Sequence, residues 1–339
     1  MKSSEPARDG NPSRGGLSRR KLLFAAALSP ALGQARAAPN GATLLVAGPE
    51  GGSTAAWADI LTPALVKSLP SGLVLARENV GAADGVTGAN QFQARTAFDG
   101  GTVLLLPGQA ALAWLIGDPR AQFDAARWVT ALAAVTPTVI ASRTSLEQIM
   151  RNGSVRVAGA PDTGGLAALL TFDLIGTTPL PVLSTAPDYS NAESILLSGR
   201  AMPEQLTAAA RFGFRPILNL GDPAGSTPDG LPTAQHLVRA DASPGLLAAW
   251  RATVAATRLD TALVLPQLTP PSMVAIWRRA GAQAADTTVV QAAEARLGIQ
   301  AEAGADAVAS TAPIAADAGA LLDLRAWLLQ RFGWRPHSG

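Results

Sequence analysis

The chain has no cysteine, so disulfides and thiolate metal sites are excluded, though that absence identifies no compartment. Histidine occurs twice, at His236 and His337, and tyrosine once, at Tyr189. No Gly-x-Ser-x-Gly elbow and no His-Glu-x-x-His helix is present, so the usual hydrolase signatures are missing. The positions of the two histidines also argue against a shared metal site. No Gly-x-Gly-x-x-Gly follows the first strand-like run; Gly48-Pro49-Glu50-Gly51-Gly52 and Gly81-x-x-x-Gly85-x-x-Gly88 both depart from the dinucleotide fingerprint. Charged residues are only 15% against 48% apolar, a balance that supports a large core and argues against disorder away from the ends.

What is present begins with a length of 339 residues, enough for one large domain or two ordinary ones. Ser18-Arg19-Arg20-Lys21-Leu22-Leu23 resembles a twin-arginine export signal. An apolar run over residues 22–33 follows, then a small-x-small site at Ala35-Arg36-Ala37. That run is shorter than the roughly 20 residues needed to span a bilayer. The expectation is a signal peptide over residues 1–37, cleaved near Ala37, and a periplasmic mature protein. Sec export with a chance Arg pair, a membrane anchor or a disordered arm are the alternatives. Residues 1–37 hold seven of the 27 basic residues and two of the 25 acidic ones, so the remainder carries a net charge of −3. The basic balance of the whole chain is therefore no argument for nucleic-acid binding.

The stretch with most chemical content is Gly48-Pro49-Glu50-Gly51-Gly52-Ser53-Thr54. A strand is expected before it, over 43–47, and an amphipathic helix after it, over 53–69. Trp57, Ile60, Leu61, Ala64 and Leu65 make one apolar face of that helix, and Pro63 is expected to kink it or end its regular part. The first turn of a helix has N–H groups without partners and the positive end of the dipole. Glycines before it let a ligand reach the main chain. The arrangement suits an anion, a carboxylate as well as a phosphate. A plain βα turn uses the same residue types.

Alternation continues. Strands are expected at 73–76 and 102–107, with helices to about residue 96 and over 109–116. The apolar stretch 128–142, broken by Pro137, reads as a strand that leaves one domain for another. Further strands are expected at 155–159, 182–184 and 214–220. Helices are expected at 146–151, 166–175, 192–198 and 244–257. Residues 261–265 read as the return crossing, and helices at 271–284, 288–297 and 318–332 close the chain. This order implies mostly parallel sheets with helices on both faces. Trp57, Trp250, Trp277 and Trp327 lie on apolar helix faces and are expected in the core.

Four segments carry a family resemblance. Pro49-x-Gly51-Gly52-Ser53 is similar to a Pro-Gly-Gly-x-x-Asp loop. Asn79 with Ala83, Gly85 and Gly88 is similar to Asn-x-x-Gly-Ala-Gly-Gly-x-x-Gly. Asp99-Gly100-x-Thr102-Val103-Leu104 resembles Pro-Asp-Gly-Tyr-Thr-Leu, and Leu231-Pro232-Thr233 resembles Val-Pro-Thr. In this order they resemble the substrate-binding proteins of tripartite tricarboxylate transporters, the Bug-type family, over about residues 41–335. The chain departs from the pattern at Glu50, at Ala55 in place of Asp, at Asp84 in place of Gly, and at Ser184-Thr185-Ala186-Pro187-Asp188-Tyr189 in place of a Pro-Tyr-Lys-Gly tetrad.

The resemblance implies a periplasmic-binding-protein-like α/β fold: two α/β domains with mostly parallel sheets, joined by two crossings, and a ligand cleft between them. One domain would combine 41–138 with 259–339, and the other would be 139–258. It implies a non-catalytic monomer with no cofactor and no metal. Such a protein would capture a small organic acid for tripartite tricarboxylate transporter membrane subunits or for a sensor. Main-chain N–H groups from facing loops would hold the ligand. The expected contact set is Pro49, Gly51, Gly52, Ser53, Thr54, Asp84, Gly85, Thr163, Gly164 and Tyr189. A neutral or amine-bearing ligand is the alternative that Glu50 and Asp84 raise. An exported hydrolase using His236 is the alternative of another class.

Overall fold

The computed structural model describes residues 41–160, 164–184, 189–221 and 230–335. The expected signal peptide, Thr163, most of the segment replacing the tetrad, and His337 lie outside the described residues. In chain order come β1 (Gly41–Ala47), α1 (Ser53–Ser68), β2 (Val74–Val80), α2 (Val86–Arg95), β3 (Thr102–Pro107), α3 (Gly108–Ile116) and β4 (Trp128–Val135). Next are β5 (Thr138–Ser142), α4 (Leu146–Asn152), β6 (Ser154–Ala158), α5 (Leu166–Leu174), β7 (Thr178–Val182), β8 (Ser194–Ser198), α6 (Met202–Arg211) and β9 (Arg215–Asn219). Then α7 (Pro244–Arg258), β10 (Leu259–Pro266), α8 (Pro271–Ala285), α9 (Thr288–Leu297), β11 (Gln300–Ala303), α10 (Gly304–Thr311) and α11 (Ala318–Phe332) complete the fold.

The strands form two sheets, ordered β11-β4-β10-β3-β1-β2 and β7-β6-β8-β5-β9. Pairing is parallel among β1, β2 and β3 and among β6, β7 and β8. It is antiparallel around β10, β4 and β11, and around β5. Each sheet is therefore mixed, with its parallel part built from strand–helix units. The apolar stretch broken by Pro137 is divided between the sheets, β4 in the first and β5 in the second. Thr136 pins this crossing: its N–H donates to the Arg258 carbonyl at 2.8 Å and its hydroxyl accepts from Gly199 N–H at 3.2 Å.

Four expectations need correction. Residues 192–198 do not form a helix; Ser194–Ser198 is strand β8, paired residue by residue with β5. The strand expected at 182–184 is β7, which ends at Val182. Residues 261–265 are not a crossing. They lie within β10, inside the first sheet, and α7 makes the return. Pro63 does not end α1, which runs on to Ser68 with Pro63 on its exposed side.

Packing follows the apolar faces. Behind the first sheet, α1, α8 and α9 bury Trp57, Leu61, Trp277 and Val290. The other face shares one core with the second sheet: Leu104, Ala133 and Ala262 join Ile140, Val157 and Leu218 through α3, α5, α7 and α11. Trp250 and Trp327 sit in that shared core, so all four tryptophans expected inside are buried. Trp250 Nε1 donates to Thr171 Oγ1 at 2.9 Å and Trp327 Nε1 to Asp173 Oδ2 at 2.8 Å, which satisfies both buried rings. Asp173 also pairs with Arg331 at 2.6 Å. Among the described residues no single helix is long and apolar enough to cross a membrane.

Candidate functional site

The loop after β1 sits beside the loop after β2, because the two strands run parallel in register from Gly41↔Val74 to Ala47↔Val80. Gly48 N–H donates to the Val80 carbonyl at 2.8 Å, which ties the loops at their base. The second sheet repeats the device: Gly159, one residue past β6, donates its N–H to the Val182 carbonyl of parallel β7 at 3.1 Å. Each sheet thus opens its leading strand–helix unit in the same way.

Above Gly48 the chain turns through Pro49, Glu50 and Gly51, all exposed, and Gly52 N–H closes the turn on the Pro49 carbonyl at 3.1 Å. Gly52 is the N-cap of α1, and no side chain caps it. The first helical bond is Ala56 N–H to the Gly52 carbonyl. The N–H groups of Ser53, Thr54 and Ala55 have no acceptor among the described residues. Ser53 is exposed and Thr54 buried. The start of α1 is therefore an uncapped, positive helix end at the rim of the first sheet.

The second sheet reaches this rim through Arg200, in the turn after β8. Its Nη2 donates to the Ser53 carbonyl at 3.1 Å, and its Nε and Nη2 lie 2.8 and 2.7 Å from the Asp260 carboxylate. The neighbouring Ala201 N–H donates to the Leu297 carbonyl at 3.1 Å. The turn after β8 is thereby fastened to the first sheet beside the start of α1. Arg200 was not among the expected site residues. Reading residues 192–198 as a helix placed it just past a helix end. Reading them as a strand parallel to β6 places it at a carboxyl edge, where ligands of α/β sheets gather.

The other expected residues divide. Asp84 is engaged within its own half: Oδ1 accepts from Val86 N–H at 3.2 Å and Oδ2 pairs with Arg120 at 2.9 Å. Arg120 also bonds Asp118 at 2.6 Å, and this hydrogen bond holds the Asp118 carboxyl below its ordinary value while the two acids push the Arg120 guanidinium up. Gly85 has φ +75°, and a Cβ there would stand 2.3 Å from Pro107 Cγ. Its place is fixed by backbone conformation and close packing. Gly164 is exposed with open space around it, next to the start of α5. Tyr189 turns its ring edge to Phe214, with centroids 5.9 Å apart, and packs on the core of the second sheet. His236 is exposed; its N–H donates to the Thr233 carbonyl at 3.1 Å, and its ring has no hydrogen-bond or ion-pair partner among the described residues. No group of three or more metal-binding side chains occurs among them either.

No protein-family model matches the chain, and no curated protein matches it. Solved structures do. A TctC solute binding protein from Polaromonas, solved with no ligand, has a TM-score of 0.63 and 18% identity, over 84% of this chain and 98% of that one. The periplasmic binding protein BugD gives 0.49 and 16%, over 86% and 97%. MatC from Rhodopseudomonas palustris, with bound malate, gives 0.46 and 17%, over 86% and 99%. At such identities the likeness speaks for the fold, and the first of the three carries it. The chain has the periplasmic-binding-protein-like fold of two α/β halves.

Proposed function

We propose that this chain is an exported solute-binding protein that captures a small organic acid between its two halves. The observation that carries this reading is the start of α1, where three successive N–H groups lack acceptors beside a turn of the second sheet that presents Arg200. A carboxylate there would accept charge-assisted bonds, each about 1.5–3 kcal/mol, with about 0.3–1 kcal/mol more from the helix dipole. Asp84, which would oppose an anion, is paired with Arg120. The likeness to a TctC solute binding protein supports the same reading at the level of fold.

On this reading residues 1–37 are a cleaved export signal of the twin-arginine type, and the mature chain works in the periplasm as a monomer without catalysis. Its halves are 41–138 with 259–339, and 139–258. Ligand contacts are assigned to the main-chain N–H groups of Ser53, Thr54 and Ala55, because the expected donor Gly52 N–H is taken by the Pro49 carbonyl, with Pro49, Gly51, Thr163 and Gly164 as the further contacts. Delivery is to tripartite tricarboxylate transporter membrane subunits or to a sensor. A second reading, a neutral or amine-bearing ligand, is favoured by one observation: Glu50 is exposed on the same loop with no ion pair among the described residues.

Thermal-shift titration of the purified chain against dicarboxylates, aromatic acids, amino acids and amides tests the proposal. A ligand at one hundred times its Kd adds about 2.7 kcal/mol, which is readily seen as a raised Tm. Stabilisation by a carboxylate supports the reading. Stabilisation by amines alone transfers the site to the second reading, and ester turnover lost in His236→Ala would overturn the binding-only role.

A further inference from the structure

A cavity of about 230 Å³ lies on the face of the first sheet shared with α10. Its floor is apolar: Leu106 of β3, and Ala262 and Val264 of β10. Val308 of α10 and Ile314 close it from above. None of its lining residues belongs to the loops after β1 and β2. Its volume is below the roughly 300–1,000 Å³ of drug-sized pockets, so any occupant is small.

One cation lines this apolar space. Arg278 extends from α8, which packs with the opposite face, to the edge of β4 beyond the last β11 pair at Leu132. There its Nε donates to the Thr130 carbonyl at 3.2 Å. That bond fixes the guanidinium plane. Its two Nη groups have no acceptor among the described residues, and no carboxylate pairs with it there. Among the described residues the hydroxyls lining the cavity are those of Thr130 and Thr311, and they cannot share the donor's role. Thr311 gives its single proton to the Ala307 carbonyl at 2.7 Å, so Thr130 must donate its own to Thr311, 2.8 Å away. Both hydroxyls face the cavity as acceptors only. The recognition chemistry is therefore one planar, two-pronged cation at the rim of a hydrocarbon-lined space.

We propose that this cavity is a second binding site, for a small amphiphilic monocarboxylate such as a medium-chain fatty acid. The carboxylate sits on the two Nη groups of Arg278, and the hydrocarbon body lies along β3 and β10 beneath Ile314. A single cation and an apolar floor favour one negative charge over two, which separates this site from the loop edge of the two halves. The assignment does not rest on the proposed solute-binding role.

Calorimetric titration of the purified full chain with octanoate tests it, with 1-octanol as the uncharged probe of equal length. The expected result is saturable one-to-one binding of octanoate. Arg278→Gln weakens octanoate about tenfold or more and leaves 1-octanol unchanged. Ala312→Trp, an exposed substitution that fills the cavity mouth, removes binding of both; Ala315→Trp serves the same purpose if the first variant does not fold. Absence of saturable octanoate binding, or equal binding by Arg278→Gln, overturns the site. So does octanoate binding that Ser53→Pro abolishes and Ala312→Trp leaves intact, because the acid then occupies the loop edge between the halves.

Discussion

Arg200 and Asp260 form a two-point ion pair across the two sheets, with side chains 18% and 11% exposed. The pair joins the turn after β8 to the start of β10, and Arg200 uses a further N–H on the Ser53 carbonyl. Replacing Arg200 with Ala strands a mostly buried carboxylate. The expected loss is about 3 kcal/mol, the low end for breaking a buried pair. A fall in the urea midpoint at constant m-value measures it. A loss under about 1 kcal/mol, the range of surface pairs, would show that the two sheets do not depend on this pair.

The start of α1 can be altered one donor at a time. Proline is tolerated at the first helical position, and the preceding Gly52 already has the extended conformation that a following proline requires, with φ −71° and ψ 171°. Ser53→Pro therefore deletes a single N–H without breaking the helix. The expected outcome is a Tm close to that of the native chain and carboxylate affinity reduced about tenfold, equivalent to about 1.4 kcal/mol. Unchanged affinity in calorimetry would move the ligand away from this helix end.

Two glycines of the same rim predict opposite sensitivities. Gly85→Ala forces a methyl to within 2.3 Å of Pro107 Cγ at φ +75°, and an expected cost above about 2 kcal/mol follows from overpacking added to left-handed strain. Gly51→Ala meets nothing within 4 Å at φ +76°, so it carries the conformational cost alone, about 1 kcal/mol. Denaturation midpoints of the two variants rank them. Equal losses would mean that the loops shift freely to accommodate a side chain.

The Asp84–Arg120–Asp118 cluster predicts a pH dependence. Hydrogen bonding by Arg120 lowers the folded-state titration of Asp118 below its ordinary 3.8. A depressed carboxyl stabilises the fold above its unfolded value, and that contribution is lost as pH falls through the folded value. Asp118→Asn should cost under about 1 kcal/mol at neutral pH, because Arg120 is 65% exposed and screened. Well below pH 3.8 the variant and the native chain should unfold at the same midpoint. A difference that persists there would assign the effect to packing.

Local pattern served the reading of sequence best where a segment answers mainly to itself. The helix expected from residue 53 begins at Ser53, and the one expected over 288–297 is α9. It failed where partners decide. Ala192-Glu193-Ser194-Ile195-Leu196-Leu197 contains helix-forming residues, yet Ser194–Ser198 becomes a strand because β5 pairs with it along its whole length. That one misreading hid Arg200. Asp84 was expected as a ligand contact, and nothing local signalled its pairing with Arg120, which is 36 positions away. The helix end at Ser53 was legible from glycines and spacing. The cation that the other sheet brings to it was not.

The last helix has a consequence for the order of assembly. Leu324, Trp327 and Leu328 of α11 complete the core that both sheets share, and Arg331 with Trp327 satisfies Asp173 of α5. Until residue 331 has been synthesised, the apolar flanks of α3, α5 and α7 lack their cover, and Asp173 lacks its charge partner. Partly made chains would expose that surface, which is the condition under which nascent proteins aggregate or are held by chaperones. The joining of the two halves thus waits on one tryptophan and one arginine of α11.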